Sequence, residues 1–158
     1  MSTAAARRLS MPGEEFPSLP SVSLDVPEGW ESFVWAGAVM GVKHRVSTGG
    51  FAPNVLVTIE RWPGEISDDD AEQVLRQRIQ AARGKELDSS RDAEGLSLGA
   101  EQRHPQHGTM LVRYRQQIVR HRGMTDAITV IGTFTKLQQD GVGEEIRGIV
   151  DSLRVSAS

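Results

Sequence analysis

Arginine is the residue type whose spacing offers the most chemistry in this chain. Residues 102–125 contain no aspartate or glutamate, and they contain five arginines: Arg103, Arg113, Arg115, Arg120 and Arg122. Because alternate side chains of a strand share a face, we predict Arg113 and Arg115 on one face and Tyr114 on the other. Guanidinium groups make planar, bidentate contacts with carboxylates and phosphates. The segment therefore predicts a basic surface for an acidic peptide, a phosphate group or RNA; the alternative is a solvated sheet face with paired charges.

Three of the four histidines lie in or beside the same segment, namely His104, His107 and His121. A His-x-x-His pair with a third ligand is one way to hold zinc. Pro105 interrupts any helix there, no carboxylate completes a known ligand set, and the surrounding arginines repel a cation. We therefore interpret these histidines as exposed loop residues and expect neither a metal nor a cofactor.

Two further motifs that resemble ligand-binding sites are better explained as the first turns of helices. The run at residues 68–70 is Asp-Asp-Asp, but no EF-hand glycine or glutamate follows it at the required places. Residues 141–143 read Gly-Val-Gly, yet Glu144 and Glu145 at the same helix start would repel a phosphate. Ser47 is not in a Gly-x-Ser-x-Gly elbow and has no recognisable His or Asp partner. We therefore expect a protein that is not an enzyme.

Four large aromatic residues flank the early strands: Trp30, Trp35, Phe51 and Trp62. Such residues usually fill a core, and their alternative use is to line a cleft or a partner surface. The loop at residues 49–53 carries Phe51 and is a candidate recognition edge. The candidate partner-binding residues are Arg113, Arg115, Arg120, Arg122, Phe51 and Trp62.

Composition limits the class of protein. The chain has 158 residues, 38% of them hydrophobic and 25% charged, which fits one packed domain. The absence of cysteine excludes disulfides, thiolate nucleophiles and acylation at a cysteine. A net charge of −3, with only 5% aromatic residues, argues against nucleic acid as a partner. No apolar run approaches the roughly 18 residues of a membrane span.

The first fifteen residues differ in composition from the rest. Residues 1–15 are polar with only Leu9 and Met11 as large apolar side chains, and we predict a disordered tail followed by one domain at residues 16–158. Arg7 and Arg8 are not followed by the apolar stretch of an export signal, so we expect a cytoplasmic protein.

Strand patterns dominate the domain. Alternating or β-rich segments predict strands at residues 22–26, 30–35, 39–46 and 54–62, with the last apolar on both sides and therefore inside a sheet. Shorter extended pieces are predicted at residues 86–89 and 96–98. Residues 109–119 and 127–137, joined by a polar turn with Gly123, predict a long antiparallel hairpin.

Two amphipathic helices complete the predicted fold. The first begins near Ser67, whose hydroxyl is a helix cap, and ends at Gly84. The second begins near Val142 and carries apolar residues at spacings of three and four. The order of elements predicts an α+β fold, a mainly antiparallel sheet flanked by two long helices in an α/β/α sandwich.

Three segments resemble a known family. Residues 22–30 end in Pro-Glu-Gly-Trp after a strand, residues 51–57 read Phe-Ala-Pro-Asn-Val-Leu-Val, and residues 149–153 read Ile-Val-Asp-Ser-Leu. With the long hairpin, they resemble the Mog1/PsbP-like superfamily over about residues 16–155, and the second segment resembles its actinobacterial LpqN-like branch. The resemblance implies an α/β/α sandwich around an antiparallel sheet, used mainly as a non-enzymatic binding scaffold, and it supplies no catalytic residue.

The chain departs from that branch in one respect. LpqN-like members are commonly secreted lipoproteins, whereas this sequence has neither an apolar leader nor a cysteine to acylate. Another bacterial branch of soluble members without leaders includes adaptor chaperones for secreted effectors.

Three hypotheses on function follow from these observations. The first is a non-enzymatic binding module for a protein or peptide partner, of the adaptor or secretion-associated chaperone type. The second is a carrier of an apolar or amphipathic small molecule, which predicts an enclosed apolar pocket next to the tryptophans. The third is a hydrolase built from dispersed residues. A homodimer through a sheet edge is a further expectation.

Overall fold

The computed structural model describes residues 5–45 and 50–156, which contain nine strands and two α-helices. The strands are β1 Ser21–Ser23, β2 Trp30–Ser32, β3 Met40–His44, β4 Asn54–Pro63, β5 Lys85–Arg91, β6 Leu96–His104, β7 Gly108–His121, β8 Met124–Thr135 and β9 Arg154–Ser156. The helices are α1 Asp68–Ala81 and α2 Glu144–Asp151. None of the helices within these described ranges combines the length and the apolar character that crossing a bilayer requires.

Seven strands form one sheet in the order β2-β3-β4-β8-β7-β6-β5, and every neighbouring pair is antiparallel. The predicted α+β class with a large antiparallel sheet is therefore confirmed. The predicted hairpin is β7 and β8, which run in register from Met110 opposite Thr135 to His121 opposite Met124. As its apolar pattern predicts, β4 lies inside the sheet, between β3 and β8.

Several predicted strands have different bounds in the structure. The segments at residues 86–89 and 96–98 are parts of longer strands, because β5 and β6 pair along most of their lengths. The first two predicted strands shorten to three residues each. β1 pairs with the unpredicted β9 in a separate two-stranded sheet, a contact between the two ends of the domain. Val46, Ser47 and Gly49, which belong to a predicted strand and loop, lie outside the described residues.

Helix α1 follows its sequence signals. The Ser67 hydroxyl accepts a hydrogen bond from the Asp70 backbone N–H at 3.1 Å, as a helix cap does. Leu75 and Ile79 are buried and pack on Leu96 and Leu98 of β6. The predicted stop at Gly84 is corrected: the helix ends at Ala81, and Arg83 rather than a glycine takes the positive φ, of 60°, that follows it.

Helix α2 corrects the expectation of two long helices, because it has only eight residues. A 3₁₀ turn and a π-turn precede it, at Lys136–Gln138 and Gln139–Gly143. Asp140 has an extended backbone and Gly141 a positive φ of 80°, so the helix cannot begin before this bend. Its buried residues Ile146, Ile149 and Val150 join the larger core cluster.

The two helices lie on opposite faces of the sheet. Register partners form rows that cross the sheet from β6 through β7, β8 and β4 to β3. One such row is Leu98, Tyr114, Ile131, Leu56 and Gly41. The next row is Gly99, Arg113, Gly132, Val55 and Val42. Consecutive rows project to opposite faces. Leu98 and Tyr114 contact α1, so the first row marks the α1 face. Gly132 approaches Ile146 and Val150, so the second row marks the α2 face.

Neither helix covers the whole of its face. Helix α1 packs over β6 and β7, and none of its residues lines the part of the α1 face formed by β3, the start of β4, the end of β6, the start of β7 and the end of β8. Helix α2 packs over β4, β7 and β8. The uncovered part of the α1 face is largely apolar, whereas the α2 face carries Arg113 and Arg115 of β7, and Arg115 is almost fully buried. The two faces therefore differ in what they can bind.

Candidate functional site

An apolar groove of about 480 Å³ occupies the uncovered part of the α1 face. Its apolar lining is formed by Phe33, Trp35, Phe51, Leu56 and Met110, and we call it the aromatic groove. Its volume falls within the roughly 300–1,000 Å³ of small-molecule sites. The described residues leave it open to solvent, with 59% of Trp35 exposed. The enclosed pocket expected for a small-molecule carrier is therefore not what these residues form.

One wall of the groove depends on a glycine in β3. A Cβ built on Gly41 would lie 3.1 Å from Cε1 of Phe33 and 3.2 Å from Cδ2 of Leu56. Because glycine lacks that atom, the Phe33 ring packs directly over the sheet beside Leu56. The Trp35 ring lies edge-on to Phe33, with ring centroids 6.3 Å apart. The short β2–β3 connection thus presents two aromatic rings to the groove.

The opposite wall is held by a buried glutamine. Gln138 Nε2 donates to the Phe51 carbonyl at 2.9 Å, and its Oε1 accepts from the Thr135 backbone N–H at 2.9 Å. The Phe51 ring contacts the His107 ring edge-on, with centroids 5.3 Å apart. Gln138 therefore links the loop that carries Phe51 to the end of β8, and the position of Phe51 is set by the fold.

The groove has a positive charge at its margin. Lys43 is the one lysine or arginine among the described residues that line it, and no aspartate or glutamate is among them. The Lys43 ammonium lies 5.7 Å from the centroid of the Phe33 ring, a cation–π distance. It also lies 3.8 Å from Glu31 Oε1, and both side chains of that pair are almost half exposed.

The predicted basic surface is divided by the fold. Arg113 and Arg115 project to the α2 face, as the alternation predicts, whereas Arg120 projects to the α1 face. Arg122 is exposed in the β7–β8 turn. The four candidate arginines therefore do not form one patch.

Carboxylates from distant segments pair with three of these arginines. Arg113 donates to Asp88 at 3.1 Å, Arg115 to Asp92 at 3.1 Å, and Arg120 to Asp68 at 2.6 Å. The hydrogen bond from Arg120 lowers the pKa of the Asp68 carboxyl. Hydrogen bonds from Arg115 and from two backbone N–H groups lower the pKa of Asp92. These acids lie outside residues 102–125, so that segment alone suggested an excess of positive charge.

Phe51 and Trp62 lie at opposite ends of β4. Phe51 precedes the strand and lines the aromatic groove. The Trp62 Nε1 donates to Glu60 at 3.5 Å, and Glu60 binds Arg78 of α1, whose hydrogen bond lowers the pKa of the Glu60 carboxyl. Of the six candidate residues, Phe51 alone lines this groove. Trp30, by contrast, is buried in the core, as expected for a large aromatic residue.

The histidines are half-buried, which corrects the expectation of exposed loop residues. The rings of His104 and His107 lie 4.7 Å apart beside Phe51. His121 is at the far end of β7, where its Nε2 lies 2.7 Å from Asp126 Oδ2. In residues 5–45 and 50–156, no group of three His, Cys, Asp or Glu side chains is arranged to hold a metal ion.

Solved structures show which fold this arrangement represents. LpqN of Mycobacterium tuberculosis, described as involved in cell envelope biogenesis, superposes with a TM-score of 0.69 at 12% identity, over 89% of this chain and 86% of LpqN. The Ran-binding protein Mog1p of Saccharomyces cerevisiae has a TM-score of 0.53 at 9% identity, over 84% of this chain and 89% of Mog1p. This chain has the Mog1/PsbP-like fold. Cyanobacterial PsbP from Synechocystis has a TM-score of 0.53 at 15% identity, over 87% of this chain and 92% of PsbP.

The resemblance seen in the sequence is thus confirmed at the level of the Mog1/PsbP-like fold. No protein-family model and no curated protein sequence matches the chain. At identities of 9–15%, the similarity defines the fold and leaves the partner or ligand open.

Sequence reasoning missed most of the groove. Phe33, Lys43, Leu56 and Met110 come from three different strands and one connection, and no linear motif joins them. The one available signal was the mixed character of β4, whose Leu56 makes its second face apolar. Which residues of β3, β7 and β8 share that face depends on the pairing register, which the sequence pattern did not specify.

Proposed function

We propose that this protein is a non-enzymatic binding module that holds an apolar segment of a protein or peptide partner in the aromatic groove. The observation that carries the proposal is that α1 leaves part of its sheet face uncovered and that this part forms a groove lined by aromatic and aliphatic side chains. Apolar patches of this kind on a protein surface mark interaction sites.

The apolar surface extends beyond the groove itself. Val34 is 96% exposed in the connection between β2 and β3, and Val39 at its other end is also exposed. Trp35 lies between them and reaches into the groove. Tryptophan is enriched among the residues that contribute most binding energy at interfaces. A macromolecular segment would cover both the groove and this connection, whereas a small molecule would leave the connection exposed.

The titratable groups support a role without catalysis. Hydrogen bonds from arginines lower the pKa values of Glu60, Asp68, Asp92 and Asp126. In each case the arginine belongs to a different element, so the pair stabilises the packing of those elements. None of the four acids lines the aromatic groove. The similarity of fold to Mog1p, a Ran-binding protein, also supports a protein partner.

A second candidate function is the transport of an apolar or amphipathic small molecule. The volume of the groove, about 480 Å³, favours it because that volume suits a small ligand. Carriers usually bury most of their ligand, whereas the described residues leave this groove open. We therefore place this function second.

A homodimer through a sheet edge receives less support. β5 is the longer edge strand, and all seven of its residues are exposed. Its side chains are engaged in ion pairs, Glu86 with Arg76 and Asp88 with Arg113, and a bulge lies between Glu86 and Asp88. Charges and bulges on an edge strand oppose the addition of another strand.

Peptide selection tests the proposed function. A library of displayed peptides is selected on the wild-type protein, and the peptides recovered are measured by fluorescence anisotropy against Trp35→Ala and Phe51→Ala. We expect each substitution to weaken binding at least about tenfold, the usual effect of removing a major interface residue. Trp62→Ala is the matched control, because Trp62 is a half-buried aromatic residue outside the groove.

Thermal unfolding of each variant confirms that the loss of binding does not come from unfolding. Peptides that bind Trp35→Ala and Phe51→Ala as tightly as the wild type would contradict the proposal. Recovery of no peptide at all, together with saturable binding of an apolar fluorescent probe that Phe51→Ala abolishes, would favour the carrier.

A further inference from the structure

We propose that the segment bound in the aromatic groove carries a carboxylate next to its apolar side chain, and that Lys43 binds this carboxylate. The inference rests on the proposed function, because it specifies the chemistry of the partner at the same site. It adds a charged contact to a site otherwise described by its apolar walls.

The position of Lys43 is fixed by β3 and its neighbours. In the sheet, the register partners of Lys43 are Glu31 of β2 on one side and Asn54 of β4 on the other. Its side chain therefore projects to the α1 face, where the ammonium group lies 5.7 Å from the Phe33 ring centroid. The side chain is 43% exposed. The aromatic ring thus holds the ammonium group at the margin of the groove while leaving it accessible from solvent.

The charges in the groove lining favour an anionic partner. Among the described residues that line the groove, Lys43 is the one lysine or arginine, and none is aspartate or glutamate. The nearest carboxylate recorded for Lys43 is that of Glu31, 3.8 Å away and outside the lining. Asn54, Gln102 and Thr133 are the uncharged polar residues of the lining, and His104 completes it. A basic segment would bring like charges together at Lys43, whereas a carboxylate would supply a complementary charge.

The existing partner of Lys43 is held weakly. Lys43 Nζ and Glu31 Oε1 are 3.8 Å apart, and their side chains are 43% and 48% exposed. Such exposed pairs contribute little to stability. A carboxylate from the partner can therefore replace Glu31, or share the ammonium group with it, at little cost to the fold.

The arginines of the sequence-predicted basic surface are engaged more closely. Arg113, Arg115 and Arg120 lie 3.1, 3.1 and 2.6 Å from their carboxylates. Arg115 is also almost fully buried. Binding an external anion there would require breaking contacts that hold β5, the β5–β6 turn and α1 in place. Exchange of the carboxylate at Lys43 therefore disturbs the structure less than exchange at any of these three arginines.

A double-mutant cycle tests this inference. An acidic peptide is selected on the wild-type protein, and a second peptide is made in which its Asp is replaced by Asn or its Glu by Gln. The affinity of each peptide is measured for the wild type and for Lys43→Gln. We expect each single change to weaken binding about tenfold, and the second change to add less than about twofold once the first is made. Glu31→Gln should strengthen binding of the acidic peptide by about two- to threefold, because it removes a competing carboxylate.

Lys85→Gln is the matched control, since Lys85 is an exposed lysine at the start of β5, outside the groove. Groove-dependent peptides that lack acidic residues, or acidic peptides that bind Lys43→Gln as tightly as the wild type, would overturn the inference and leave the proposed function intact. Peptide binding that does not depend on Trp35 or Phe51 would instead overturn the proposed function itself.

Discussion

Arg61 and Asp126 are register partners on β4 and β8, and their side chains form a two-bond ion pair in the interior of the domain. Arg61 Nε lies 2.7 Å from Asp126 Oδ1, and Arg61 Nη2 lies 2.9 Å from Oδ2. The Asp126 side chain is fully buried. Arg61 Nη1 also donates to the Pro17 carbonyl at 2.8 Å. The pair therefore joins the centre of the sheet to the segment that precedes β1.

Removing the charge of Asp126 is expected to destabilise the protein. Asp126→Asn leaves the Arg61 guanidinium partly buried without its counter-ion, and breaking such pairs costs about 3 kcal/mol or more. Urea unfolding at pH 7 measures the change in the free energy of unfolding. Asp69→Asn is the control, because the Asp69 side chain is 94% exposed and loses only solvent-screened interactions with Arg91 and the helix start, so it should change stability by less than about 1 kcal/mol. Equal stability of the two variants would contradict this role of the pair.

The same carboxyl gives the stability a pH dependence of known sign. Burial alone raises the pKa of Asp126, but the hydrogen bonds from Arg61 and His121 outweigh it and lower the pKa below its ordinary value. The stabilisation is therefore present above the unfolded-state pKa of about 4 and is lost as the pH falls through the folded-state pKa. The stability difference between wild type and Asp126→Asn should shrink as the pH falls below about 4. Urea unfolding at pH 7, 5, 4 and 3 measures it, and a difference that widens in acid would contradict the assignment.

Two glycines test the packing of α2 on the sheet. A Cβ on Gly132 would lie 2.5 Å from Ile146 Cγ2 and 3.0 Å from Val150 Cγ2, so Gly132→Ala should destabilise by about 1–3 kcal/mol through overpacking. Gly148 is in α2, and apart from its chain neighbours and the backbone of its own helix no atom lies within 4 Å of its Cβ position. Gly148→Ala should stabilise by up to about 1 kcal/mol, because alanine favours the helix. Thermal and urea unfolding compare the two, and the same sign for both substitutions would contradict the described packing.

Arg115 tests whether the sequence-predicted basic surface is structural. Arg115 is 7% exposed and donates to Ser97 at 3.0 Å as well as to Asp92. Arg115→Ala should destabilise by about 2 kcal/mol, the usual loss for hydrogen bonds to a charged group. Arg122→Ala, at an exposed turn, should leave stability unchanged within about 0.5 kcal/mol. Unchanged stability in Arg115→Ala, together with weaker binding of a selected peptide, would show that the arginine face binds the partner directly.

Local patterns predicted the elements well where the signal lies within a few residues. The Ser67 cap, the apolar spacing around Leu75 and the turn at Gly123 depend on neighbours in sequence, and the structure places α1 and the β7–β8 hairpin accordingly. The length of α2 was predicted poorly, because the bend at Asp140 and Gly141 interrupts an otherwise helical pattern. β9 was not predicted at all, since its three residues are ordered by pairing with β1 at the far end of the chain.

The candidate site depends on contacts between residues that are distant in sequence. Sequence reasoning named Phe51 as a candidate recognition residue, and Phe51 lines the groove. It interpreted Trp35 mainly as a core residue, but Trp35 is exposed and borders the groove. It also counted the arginines without the acids that pair with them. Asp88 and Asp92 are more than twenty residues away from Arg113 and Arg115 in sequence. They approach these arginines only because β5 and β6 fold back on β7.

The sequence by itself determined the class of the fold, since alternation, helix caps and turn residues act over a few positions and are written directly in the chain. Only the tertiary structure decided which part of each sheet face remains uncovered. That outcome depends on the strand register and on how far each helix reaches across the sheet, and both come from packing between residues that are distant in sequence. The aromatic groove with Lys43 at its margin exists because α1 packs over β6 and β7 without reaching the strand ends that line the groove.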